Sequence, residues 1–166
     1  MFYGFVSKNG KIVVMDTLLF QYCQKIIVLN SDCTKVLLAK RQGEQDYDGI
    51  YTFIGGKLET TDGGFIEGLY REKNEEIGVK AQVSVLPAVT RNVYFQKKDG
   101  NHMILPHYAA IYSGGEITIN EEYSDFAWVD INRLEEFEPK IENIPYFVDW
   151  ARKTTETSDK DEWVSL

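Results

Sequence analysis

Sulfur ligands are scarce in this chain. Cys23 and Cys33 are its only cysteines, and their spacing fits neither a zinc site nor a redox CxxC pair. Each is expected to be a buried or incidental thiol. Histidine is equally sparse, with His102 and His107 alone. No Gly-x-Ser-x-Gly segment and no Cys–His pairing motif is present, so nucleophilic hydrolase chemistry has no support. No apolar stretch reaches transmembrane length, and Met1-Phe2-Tyr3-Gly4 is not a basic segment leading into an apolar one. The expectation is a reduced, cytoplasmic protein with no membrane partner. Basic residues are outnumbered, 18 Lys and Arg against 26 Asp and Glu, for a net charge of −8. They are scattered, which argues against binding a nucleic-acid duplex or an anionic lipid surface. A phosphorylated substrate would meet a mostly acidic surface, and a bound cation is one way to offset that repulsion.

What is present suits one globular domain spanning 1–166. Its 43% hydrophobic and 27% charged residues are enough for a core and too apolar for wholesale disorder. Tyr3–Val6 and Lys11–Met15 flank Lys8-Asn9-Gly10, whose Asn-Gly favours a tight turn, so an N-terminal hairpin is expected over about 1–22. Ile26–Leu29 and Val36–Ala39 read as strands around Asn30-Ser31-Asp32. Thr90–Lys97, His102–Tyr112 and Phe126–Val129 read as three more. Phe65–Ile77 turns helical, and Gly78 is placed to end it in a left-handed cap. Asp130 can cap a short helix over Asn132–Phe137, and Pro145 suits the first turn of a last helix through Ala151. The residues from about 153 to 166 are polar and expected to be a loose tail. Many strands with a central helix and C-terminal helices point to an α+β or sandwich-like α/β fold.

The chemistry concentrates on the Phe65–Ile77 helix. Glu72, Glu75 and Glu76 stand at i, i+3 and i+4 and project from one face. Opposite them run Ile66, Tyr70 and Ile77, with Lys73 in the same stripe, the face expected to meet the core. A solvated acidic face is the ordinary reading of such a cluster. Here, however, like charges repel one another near the negative end of the helix dipole, each effect costing from tenths to about 1 kcal/mol. A divalent cation would relieve both, and Mg2+ is a hard ion suited to a few carboxylates and phosphate oxygens. Just upstream, Gly55-Gly56 lets the backbone turn sharply and approach another group closely.

Gly55-Gly56-Lys57-Leu58-Glu59 followed by Arg71-Glu72-Lys73-Asn74-Glu75-Glu76-Ile77-Gly78-Val79 resembles the box of the Nudix hydrolase family, GX5EX7REUXEEXGU with U aliphatic. Tyr51-Thr52-Phe53-Ile54 resembles the lead-in to that box, with Ile54 in place of proline. Phe126-Ala127-Trp128-Val129-Asp130 resembles the family's strand before a short helix, so the likeness spans roughly Lys25 to Trp150. Two departures stand out. Counted forward from Gly56, the first acid of the box falls on Asp62, and eight residues then separate Asp62 from Arg71 where the pattern has seven; counted back from Arg71, that position is Gly63. Lys73 stands where an aliphatic residue is expected.

The resemblance implies a Nudix fold, an α/β/α sandwich with a mixed central sheet and flanking helices. It also implies hydrolysis of a diphosphate linkage in a nucleoside diphosphate derivative: a nucleoside triphosphate, nucleotide sugar, ADP-ribose or dinucleotide. By similarity Glu72, Glu75 and Glu76 hold Mg2+ (or Mn2+) with the Gly55 carbonyl, and Glu72 acts as ligand, general base or both. Arg71 orients a carboxylate, with Glu75 and Glu67 each four residues away, and Glu59 contributes through the loop. The family recruits a further acid from outside the box; Glu122, six residues before Trp128, fits that role, with Glu121 and Glu116 as rivals. His107 alternates with apolar residues and is expected to be an interior residue, with a pocket-lining role open for it and for Tyr94. A catalytically weak nucleotide-binding or regulatory domain is the alternative function, and a homodimer is compatible with the sequence.

Overall fold

The computed structural model describes residues 4–6, 12–14, 18–44 and 46–166. Strands β1 (Gly4–Val6) and β2 (Ile12–Val14) pair antiparallel as a two-stranded sheet of their own. The expected Asn9-Gly10 turn lies outside the described residues. From Phe20 onward the chain joins the main sheet, so the N-terminal hairpin is shorter than the 1–22 expected. This sheet contains β3 (Phe20–Tyr22), β4 (Lys25–Asn30), β5 (Lys35–Arg41), β6 (Tyr51–Thr52), β7 (Gln82–Gln96), β8 (His102–Gly114), β9 (Tyr123–Asp130) and β10 (Val164–Ser165). It is mixed: β8 is antiparallel to β7 but parallel to β3 and β4, whereas β5 is antiparallel to β4, β6 and β9.

One helix lies on each face, α1 (Phe65–Ile77) and α2 (Ile144–Thr157). Alternation along β4 shows why: Ile26 and Val28 pack with Leu69 and Ile77 of α1, while Ile27 and Leu29 pack with Phe147 and Val148 of α2. A strand buried on both faces reads as an unbroken apolar run, as Ile26–Leu29 does. The expected α/β/α sandwich is the fold.

Several boundaries differ from the sequence reading. Strand β7 begins at Gln82, eight residues before the expected Thr90. Its pairing with β8 is in register at Val85↔Ala110 and resumes, shifted, at Thr90↔Tyr108. Pro87 sits in the irregular stretch between, a place where a missing ladder donor is tolerated. The helix after Asp130 contracts to a 3-10 turn, Ile131–Arg133, with the Asp130 side chain accepting from Asn132 N–H at 2.9 Å. Helix α2 runs six residues past Ala151, its last turns carrying the pairs Asp149–Lys153 and Arg152–Glu156. The polar tail is ordered: Val164 and Ser165 pair with β7, and Leu166 N–H bonds to Val83 O at 2.8 Å while its side chain enters the core. Gly78 has the expected positive φ of 88°, but its ψ of 154° is extended rather than left-handed helical, and its N–H bonds to Asn74 O. The core stripe of α1 is also rotated. Tyr70 is 53% exposed, and the buried face carries Leu69, Lys73 and Ile77 together with Glu72 and Glu76.

Candidate active site

Beyond Leu29↔Val36 the strands β4 and β5 pair no further, and residues 51–57 enter between them. Ala39 pairs with Thr52, Ile26 N–H bonds to Ile54 O, and Gln24 N–H bonds to Gly56 O. This threading forces Gly55 and Gly56 against their neighbours. Gly55 has φ 109°, and a Cβ there would lie 2.3 Å from Gln24 O; a Cβ on Gly56 would fall 2.5 Å from a Glu72 carboxylate oxygen. Neither position admits a side chain without displacing backbone or the glutamate.

Helix α1 turns its carboxylates toward these glycines. Glu76 is 2% exposed; its Oε2 accepts the Gly55 N–H and its Oε1 accepts the Tyr123 hydroxyl at 2.9 Å. Glu72 is 7% exposed and accepts from Arg71 Nη1 at 2.8 Å. Burial, and secondarily the Glu76 charge, push the Glu72 carboxyl up to about 7. Burial likewise raises Glu76, against the pull of the Lys25 ammonium. Glu75 differs from both: it is exposed and bonded to Arg71 Nη1 at 3.0 Å.

Arg71 is a hub. Besides Glu72 and Glu75 it holds Asp62 through Nε at 2.9 Å and Nη2 at 3.0 Å, and Nη2 also donates to Lys57 O. The two hydrogen bonds from Arg71 hold the Asp62 carboxyl below the usual carboxylate range. The partner of Arg71 in the loop is therefore Asp62 rather than Glu67, whose carboxylate lies over Gly63 and Gly64 instead. Glu59 donates its backbone N–H to Asp62, and its side chain takes the Thr61 hydroxyl.

The sequence profile described as NUDIX domain matches residues 21–151, from the edge of β3 into α2. The chain belongs to the Nudix family. Over 49 residues it is 43% identical to a CTP pyrophosphohydrolase of Escherichia coli (strain K12), a match covering 30% of this chain and 36% of that protein. The chain thus spans about a third of the length of that curated relative. The MutT protein from Methanosarcina mazei Go1 superposes with a TM-score of 0.65 at 18% identity, over 84% of this chain and 98% of that one. The NUDIX domain of Shewanella oneidensis NrtR, complexed with ADP ribose, does so at 0.65 and 19% identity, over 84% and 90%. At such identities the likeness speaks for the fold.

Around the Nudix box three residues complete the polar end of the site, none of them marked in the sequence. Lys25 at the start of β4 donates to the Gly55 carbonyl. Arg41 at the end of β5 lies over the Tyr123 ring at 4.9 Å and pairs with Glu122 at 2.9 Å and Glu44 at 3.1 Å. Tyr123 reaches Glu76 because β5 pairs with β9 at Arg41↔Tyr123, a register no local pattern announces. Glu122 lines the cleft as a half-exposed acid held by Arg41, whereas Glu116 pairs with Lys80 and neither it nor Glu121 lines the cleft.

The five oxygen sources expected from sequence, Gly55, Glu72, Glu75, Glu76 and Glu122, surround one region without converging on one point. Among the described residues no three Asp, Glu, His or Cys side chains stand as a ready metal cage. The protein's own cations account for this, with Arg71 drawing Glu75, Arg41 drawing Glu122 and Lys25 covering Gly55 O. The donor set nevertheless fits a hard divalent ion. Two buried carboxylates repel each other there, and the carbonyl beside them already faces an ammonium.

This polar end opens into a cleft of about 810 Å³. Its other half is mainly apolar, with Phe53, Val93, Met103, Leu105 and Ile144 on its walls, His107 among them, and Thr52, Lys97 and Asn143 as polar neighbours. Tyr94 is not part of it: its exposed ring stacks on His102 and its hydroxyl meets His102 Nδ1 at 2.7 Å.

Proposed function

We propose that this chain is a metal-dependent hydrolase cleaving a diphosphate linkage in a nucleoside diphosphate derivative. The observation that carries the reading is the buried pair Glu72 and Glu76, held by Arg71, Tyr123 and Gly55 at the polar end of a cleft whose other end is mainly apolar. Such a cleft suits a molecule with phosphates at one end and a flat, weakly polar ring at the other.

Glu72, Glu75, Glu76 and the Gly55 carbonyl would hold Mg2+ or Mn2+, with Glu122 as the acid from outside the box. Bound there, the ion supplies neutralisation of phosphate charge and Lewis acidity. Glu72 takes the proton of the attacking water as its oxygen bonds to phosphorus. The bond from that phosphorus to the bridging oxygen breaks, and the second phosphoryl group leaves with that oxygen. Arg71 fixes the Glu72 carboxylate by its 2.8 Å hydrogen bond, and Lys25 and Arg41 line the cleft as cations within reach of phosphate oxygens.

One observation favours a second reading, a nucleotide-binding or regulatory domain with weak turnover. The Lys25 ammonium already occupies the Gly55 carbonyl that a metal would use. The deciding experiment incubates the protein and Mg2+ with nucleoside triphosphates, ADP-ribose, a nucleotide sugar and a dinucleoside polyphosphate, and measures released phosphate, pyrophosphate and mononucleotide. Turnover that Glu72→Gln abolishes is expected. Nucleotide binding with no turnover on any of these substrates would establish the second reading.

A further inference from the structure

His107 occupies the apolar half of the cleft with its protonation pattern fixed by the backbone. Its Nδ1 lies 3.1 Å from two carbonyl oxygens, those of Arg91 and Leu105. A carbonyl accepts and cannot donate, so Nδ1 carries the ring proton and shares it between the two. The ring is neutral at physiological pH, because burial lowers its pKa to about 4. It cannot turn freely either, being stacked on Phe147 at 3.9 Å and 11°, with Phe53 edge-on at 5.9 Å.

Nε2 is therefore left with a lone pair and no proton. Among the described residues it has no hydrogen-bond partner, and it is not one of the fully enclosed orphan atoms, which belong to Gln21, Gln24, Thr52 and Asn74. His107 lines the cleft, and its free acceptor is set among the apolar side chains of Phe53, Val93, Leu105 and Ile144, with Thr52 and Asn143 also on the lining. Once a ligand excludes water from the cleft, such an acceptor is stabilised only by a donor that arrives with that ligand.

We propose that the apolar half of the cleft seats the base of the nucleotide and that His107 Nε2 accepts a hydrogen bond from its exocyclic amino group. Rings of the adenine or cytosine type are thereby preferred over their oxo counterparts. The inference rests on the reading of the cleft as a nucleotide site. An amino group projects beyond the ring edge and can reach a recessed acceptor. A carbonyl at the same place sets lone pair against lone pair, and the ring N–H beside it cannot approach without bringing that carbonyl along. Phe53 and Phe147, which pack against the His107 ring, offer no donor to compensate.

The test compares kcat/KM for ATP against ITP and for CTP against UTP, in the wild type and in His107→Phe, which keeps an aromatic ring on Phe147. The wild type should favour the amino member of each pair by about tenfold or more, the scale of a buried acceptor losing its donor. The variant should bring both ratios close to one, chiefly by raising KM for the amino substrates. Should His107→Phe fail to fold, His107→Leu removes the same acceptor. Ratios near one in the wild type, or ratios unchanged in a folded variant, would overturn the assignment. Calorimetric binding of AMP against IMP and CMP against UMP separates the two readings. AMP and CMP bound preferentially, with no turnover of any triphosphate, ADP-ribose, nucleotide sugar or dinucleoside polyphosphate, would leave His107 its role and remove the hydrolase. Hydrolysis without an amino preference, or no binding of any of the four, would remove the role of His107.

Discussion

The hydroxyl of Tyr123 donates to Oε1 of Glu76 at 2.9 Å, tying strand β9 to the last turn of α1. The second oxygen of that carboxylate takes the Gly55 N–H, so Glu76 is held by donors from two different elements. Tyr123→Phe removes one donor from a buried carboxylate and should destabilise the protein by about 2 kcal/mol, as expected for a hydrogen bond to a charged group. It should also weaken Mn2+ binding measured by electron paramagnetic resonance, because the carboxylate loses the partner that fixes its rotamer. Unchanged Mn2+ affinity in a folded variant would show that the hydroxyl does not position Glu76 for a metal.

Glu72 and Glu76 oppose stability and serve the proposed chemistry at once. Both are buried, and each raises the cost of charging the other. Glu72→Gln keeps an oxygen for Arg71 while removing the repulsion. In EDTA the variant should be at least as stable as the wild type, by up to about 1 kcal/mol in urea unfolding, the usual trade between a strained site and activity. Its turnover should fall by orders of magnitude. Mg2+ should raise the wild-type Tm by mass action, and the Glu75→Gln/Glu76→Gln double variant should lose that rise while staying folded. An equal rise in the double variant would assign the metal response to another site.

Acid sensitivity should trace in part to His107. Its pKa falls from 6.5 in the unfolded chain to about 4 in the fold, so below 6.5 the unfolded state binds the proton that the folded state refuses. The associated stability is complete above about 6.5 and is lost as pH drops toward 4, a total on the order of 3 kcal/mol. Glu72, with a raised carboxyl, contributes in the opposite sense over part of this window. The informative quantity is therefore the difference between wild type and His107→Phe, measured by urea unfolding at pH 7, 5.5 and 4.5. The wild type should lose stability relative to the variant at each step down; a constant difference would mean that His107 titrates normally.

Those parts of the molecule governed by local periodicity were legible in the sequence. The bounds of α1, the runs Ile26–Leu29 and Val36–Ala39, and the shared direction of Glu72 and Glu76 follow from 3.6- and 2-residue spacing. What depends on pairing between distant segments was hidden. Lys25 and Arg41 are ordinary strand-end cations until the 51–57 segment brings Gly55 to one and β9 brings Glu122 to the other. Lys73 shows the limit of residue type as a guide. It takes the aliphatic position of the box and is buried as such at 1% exposure, because its stem fills the core while Nζ reaches Ala81 O at 3.0 Å. Charge likewise concealed the separation of Glu75 from its neighbours, since three glutamates on one face look alike until Arg71 takes the exposed one.

The loop before α1 absorbs the one residue by which this chain exceeds the family pattern. Helix begins at Phe65, with Gly64 extended at φ 171° before it, and residues 62–64 are non-helical. Asp62 still meets Arg71 through two hydrogen bonds despite the eight intervening residues. The extra length is thus taken up outside the helix, where a surface loop changes length at little cost. Within the helix one residue rotates everything beyond it by about 100°. Deleting Gly63 should restore the seven-residue spacing and leave fold, Mg2+ response and turnover nearly intact. Deleting Leu69, a fully buried residue of the α1 face, should remove a core side chain and swing Glu72 and Glu76 away from Gly55 together. Circular dichroism and the Mg2+-dependent shift in Tm, measured on both deletions, distinguish the two sites. A Gly63 deletion that folds but no longer responds to Mg2+ would show that the loop length itself, through Asp62 and Arg71, sets the position of the carboxylates.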